Sequence, residues 1–198
     1  MKALTPRSLL VRKAACALAA VLAFGVVGAS SSCADPVHDI QVKALGGEAP
    51  NVPVGEYHRA GQPCTTCHGQ YGPASTQFAI AGTVFHGPEK AIGEEGVRIE
   101  LVDATGSQRN ATTNCVGNFA IPTSDWNPAF PVLVQIRKGA QLRAMQSHIG
   151  REGSCSQCHK DPPSFDSPGH ISLVANEDNA PPPQDCPVSP VANLPGAH

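Results

Sequence analysis

"GVRIELVDATG" (residues 96–106) is the stretch that decides the fold. Val97, Ile99 and Leu101 alternate with Arg98, Glu100 and Val102, and "DATG" closes the run with turn residues. A period of two places the first three side chains on one face of a strand. The pattern recurs on both sides. "TQFAIAGTVF" (76–85) puts Phe78, Ile80 and Val84 on one face, with Gly82 at a bend; "GNFAIP" (117–122) is a short strand; "FPVLVQIRKG" (130–139) alternates Val132, Val134 and Ile136. Alternating runs separated by Gly, Asn, Asp and Pro predict antiparallel strands joined by turns. The expected fold class is mainly β, a small sandwich over residues 76–140 flanked by irregular segments with short helices.

Three of these pieces, "AGTVF", "GVRIELVDATG" and "TTNCVGNFAIP", together resemble the carboxypeptidase regulatory-like β-sandwich. That resemblance implies a Greek-key scaffold with no catalytic residues of its own. The long "HGPEKAIGEEG" connection (86–96) is either a functional loop or a plain insertion.

The flanks carry the chemistry. "CTTCH" occupies residues 64–68 and "CSQCH" residues 155–159. C-x-x-C-H is the attachment signature of c-type haem. Two thiols at that spacing reach the two vinyl groups of one porphyrin edge, and the following His supplies the proximal nitrogen to the iron. Cys64, Cys67 and His68 would hold one haem; Cys155, Cys158 and His159 would hold a second. Three other readings compete. A thioredoxin-like dithiol needs a βαβ context that these flanks lack. Zinc held by four cysteines leaves the repeated His unexplained, and so do two plain disulfides. With both motifs, the chain resembles the multihaem c-type cytochromes of bacteria. The resemblance implies two covalently bound haem c groups, iron cycling between ferric and ferrous, and electron transfer outside the cytoplasm.

Each iron also has a distal position. His58 and Met145 are the first candidates, followed by His148, His86 and His170. A thioether ligand such as Met145 raises the iron potential relative to a second imidazole. His58 stands six residues before Cys64, a span of at most ~20 Å, so reaching around its own porphyrin is tight.

Residues 1–13 hold Lys2, Arg7, Arg12 and Lys13 and no acid, and an apolar run fills 14–29. That run is shorter than the ~20 residues of a membrane span and has the order of a secretory leader. "SSSC" ending at Cys33 resembles the lipobox of bacterial lipoproteins, although Ser30 stands where that box prefers Leu. Lipidation of Cys33 and ordinary cleavage nearby both stay open; a lipid would tether the chain to a membrane surface. The expected location is outside the cytoplasm, periplasmic or membrane-anchored at the outer face of the cytoplasmic membrane or at the outer membrane. The expected segments are a leader (1–33), a first haem-binding segment (34–75), the sandwich (76–140), a second haem-binding segment (141–175) and a Pro-rich tail (176–198).

The formal charge is −2; removing the four basic residues of the leader takes it to −6. A mildly acidic chain without a basic stripe is a poor candidate for nucleic-acid binding. With 19 Gly, 19 Pro and one Trp, it has little side-chain material for a large core, so cross-links or cofactors should support it. In an oxidising compartment the remaining Cys115 and Cys186 are natural disulfide partners. The expected function is electron carriage between redox partner proteins. The alternatives are a haem enzyme such as a peroxidase with one open iron position, and a binding module with structural haem.

Overall fold

The computed structural model describes residues 35–48, 52, 54–176 and 186. The expected leader, Cys33 and most of the Pro-rich tail lie outside the described residues. The chain divides into two compact units, residues 1–39 and 40–198. In the first, only the start of helix α1 (Pro36–Ala44) is described. Asp35 caps it, its Oδ1 accepting from the N–H groups of Val37 and His38 at 3.0 and 3.2 Å, and Pro36 opens the first turn. Among the described residues, no helix is long and apolar enough to cross a membrane.

The second unit is mainly β, built on two antiparallel sheets. One pairs β1 (Phe78–Thr83) with β4 (Asn118–Pro122). The other runs β3-β2-β5-β6, from β2 (Arg98–Val102), β3 (Gln108–Thr112), β5 (Leu133–Lys138) and β6 (Gln141–Ala144). β2–β3 and β5–β6 are hairpins, and the chain crosses between sheets after β1, β3 and β4.

The alternation in 96–106 does what its period dictates. Val97, Ile99 and Leu101 are almost wholly buried and meet Ile80, Phe119, Ile121, Val132 and Ile136 in one apolar core. Trp126 closes it, with Nε1–H donating to Ser107 Oγ at 3.2 Å. The β2–β3 turn is held by Asp103, whose Oδ1 accepts from the N–H groups of Thr105 and Ser107, both at 2.9 Å.

The structure differs from the sequence expectations in three places. The sheet continues past residue 140, since β6 lies in the stretch assigned to the second haem-binding segment. β3 and β6 are the two edges of their sheet and largely or wholly exposed, so no apolar alternation marks them. Finally, the break in β1 falls between Phe78 and Ile80 rather than at Gly82. That bulge leaves Ile80 and Val84 in the core, while Phe78 packs on His68.

Candidate functional site

Both pentapeptides form short helical turns that pack on strand β1. "CTTCH" is helix α2 (Cys64–His68), and "CSQ" of the second motif is a 3-10 turn, η1 (Cys155–Gln157). A helical turn brings the two thiols of C-x-x-C to one side and sets the His one residue further round.

Glycines permit the close packing. Gly153 N-terminal to η1 lies against β1, where its carbonyl accepts from Ala81 N–H at 2.9 Å. A Cβ on Gly153 would stand 2.0 Å from the Ala79 carbonyl oxygen. On Gly82 a Cβ would come within 2.7 Å of Cys155 Cβ and 3.2 Å of the Phe119 ring. Gly82 therefore makes room for the second motif instead of bending the strand. The motifs also bond to each other's surroundings: Thr65 Oγ1 donates to Glu152 Oε1 at 2.7 Å, and Ser154 N–H donates to the same oxygen at 2.8 Å.

The two motif histidines share one arrangement. His68 Nδ1 lies 2.8 Å from the Thr76 carbonyl oxygen, and His159 Nδ1 lies 2.9 Å from that of Gly169. A carbonyl only accepts, so in the neutral ring Nδ1 is the protonated nitrogen and Nε2 the one with the lone pair. This is how a metal-binding imidazole is oriented from behind. Phe78 stacks on His68 with ring centres 4.2 Å apart and planes 16° apart. Burial holds the His159 imidazole below its usual pKa, opposed by the Gly169 carbonyl and reinforced by nearby Arg143.

Each motif lines its own cavity. The first, about 320 Å³, is bounded by Cys64, Cys67, His68, His58, Phe78 and Phe119 among others. The second, about 540 Å³ and largely apolar, includes Cys155, Cys158, His159, Met145, His148 and His170. Phe119, 6% exposed, lines both.

The distal candidates therefore sort by site. His58 belongs to the first. Met145, His148 and His170 belong to the second, where Met145 packs against the core and His170 stacks on Phe85 with ring centres 3.9 Å apart. His86 lines neither cavity. Its Nδ1 meets the buried Glu94 Oε2 at 2.5 Å, and the partly exposed Lys138 lies 2.5 Å from Glu94 Oε1. The insertion loop that carries it is thus tied to β5 by the Glu94–Lys138 ion pair. Sequence reasoning missed Phe119, Glu152 and Arg143. Glu152 and Arg143 are isolated charges without a pattern, and Phe119 reads as an ordinary core residue.

The thiols bear on the competing chemistries. Cys115 and Cys186 form a disulfide with Cα atoms 5.4 Å apart, whereas Cys64, Cys67, Cys155 and Cys158 stand as separate thiols. Burial pushes the Cys64 thiol up to about 11 and the Cys155 thiol up to about 12. A reactive dithiol needs the opposite shift. Among the described residues no three His, Cys, Asp or Glu side chains are grouped to hold a metal ion. Covalent haem fits the donor set present: paired thiols at a cavity wall and an imidazole with Nε2 facing away from its backbone partner. Comparison of the chain with protein-family models, with curated proteins and with solved structures finds no match in any of the three.

Proposed function

We propose that this chain is an exported dihaem c-type cytochrome that carries electrons between redox partner proteins. The observation that carries the reading is the matched pair of motif imidazoles. His68 and His159 each hold Nδ1 against a backbone carbonyl, and each lines a cavity with the two cysteines that precede it.

In this reading Cys64 and Cys67 anchor one haem and Cys155 and Cys158 the other, with His68 and His159 as proximal ligands. The haem supplies a one-electron couple when bound, and the protein positions it and sets its surroundings. Phe78 fixes the plane of His68. The Thr76 and Gly169 carbonyls hold the imidazoles in one tautomer and make Nε2 more basic. The second cavity has largely apolar walls, and Arg143 brings positive charge beside His159. Gly82, Gly153 and the Thr65–Glu152 bond keep both motifs on one strand, with Phe119 as the wall common to both cavities. With haem held at both motifs, the groups would share this common wall and the sandwich would serve as their rigid mount.

The test is the absorbance spectrum of protein matured in a host able to make c-type cytochromes. Reversible ferric–ferrous spectra in a chain that keeps its colour after denaturation are expected. Irons that cannot be cycled would leave haem structural and reject the carrier role.

A further inference from the structure

We propose that His58 is the distal ligand at the first site, giving that iron two imidazoles; the inference rests on the dihaem reading above. Among the described residues, His58 and His68 are the only His or Met side chains on the wall of the first cavity. Their ring centres are 5.8 Å apart with planes 28° apart. Both pairs are near-parallel: His68 and Phe78 touch at 4.2 Å, while the His58–His68 spacing is 1.6 Å wider. Two imidazoles bonded to one first-row metal at about 2 Å each have ring centres roughly 6 Å apart.

The tautomer agrees. His58 Nδ1 lies against the Gly55 carbonyl oxygen, with the Gly55 N–H farther away at 3.3 Å. The nearer group can only accept, and the neutral tautomer that donates Nδ1–H to it leaves the lone pair on Nε2. His58 thus has the same backbone-carbonyl support as His68 and His159.

The segment that carries His58 is strapped in place. Asn118 Nδ2 donates to the His58 carbonyl at 2.9 Å, and Asn114 Nδ2 donates to that of Glu56 at 2.7 Å. The next residue, Arg59, has a left-handed backbone with φ 52°, unusual for a side chain of its kind. Its guanidinium holds that turn by donating to Glu48 at 2.7 Å, to Gln62 at 2.8 Å and to the Gly46 carbonyl at 2.8 Å. Gly61 N–H then donates to Thr83 Oγ1 on β1 at 2.7 Å. The left-handed turn lets a chain only six residues from Cys64 fold back and face His68, which an extended path does not.

The experiment uses the full chain matured with haem. Intact mass counts the haems, and electron paramagnetic resonance with the near-infrared charge-transfer band reads the ligands of each iron. Wild-type protein is expected to carry one low-spin iron with two imidazoles. H58A should keep two haems while one iron becomes high-spin, and added imidazole should restore its low-spin spectrum. H58M should shift one of the two midpoint potentials upward. Two haems with an unchanged spectrum in H58A would overturn the assignment. Should H58A not accumulate, the C155A/C158A protein isolates the first site: two imidazoles there support the proposal, and any other ligand set overturns it. A wild-type mass without two haems would reject the dihaem reading itself, which is a separate failure.

Discussion

The Thr65 hydroxyl donates to Glu152 at 2.7 Å across 87 residues of sequence. One partner lies inside the first C-x-x-C-H and the other three residues before the second, so a single side-chain bond registers the two sites. It is exposed, and replacing Thr65 with Val should cost about 1 kcal/mol of stability. In a double-mutant cycle with E152A, which removes the acceptor, chemical denaturation should give a favourable coupling. Additive effects would show that the bond does not join the sites.

Gly153 is the tightest contact between the second motif and the sheet. In G153A the new methyl would stand 2.0 Å from the Ala79 carbonyl oxygen, so β1 and η1 must separate. Overpacking of this kind costs about 1–3 kcal/mol. The expected outcome is a lower Tm and poorer haem loading at Cys155 and Cys158, read by peptide mass. Wild-type Tm and loading would contradict the packing described.

The Cys115–Cys186 bond spans 71 residues. A cross-link of that span restricts the unfolded chain by about 4 kcal/mol. C115S/C186S should be less stable by an amount of that order in denaturant unfolding, while both haems stay attached because neither cysteine belongs to a motif. Loss of a haem in this variant would place the bridge in the site.

Asp103 links stability to acid. The Thr105 hydroxyl above all, donating at 2.6 Å, and then backbone N–H groups including that of Ala129, hold its carboxyl below the usual range. A group with a depressed folded-state pKa stabilises the fold fully above its unfolded value near 3.9, and that stabilisation fades as pH falls through the folded value. Below about pH 4 the Tm of wild type should therefore fall more steeply than that of D103N. Parallel slopes would contradict this.

The core strands were legible because their chemistry is periodic. Val97, Ile99 and Leu101 alternate with solvent-facing side chains, and their burial follows. Edge strands β3 and β6 were not, since "QRNAT" and "QLRA" bury almost nothing and owe their form to neighbours across the ladder. The candidate site divides in the same way. The two pentapeptides are local, and sequence showed them whole. Which candidate faces which motif depends on chain reversal, such as the left-handed turn at Arg59, and on close approach at Gly82 and Gly153, where a missing side chain matters. His86 shows the cost of reading a lone His: its partner is Glu94, eight residues away on the same loop.

The intact mass of the protein matured in a host competent for c-type cytochromes decides whether these motifs carry haem. It should be increased by two haems in wild type, by one in C64A/C67A and by one in C155A/C158A, with each haem mapped to its own pentapeptide. A colourless wild-type protein, carrying zinc or no prosthetic group, would contradict haem attachment there.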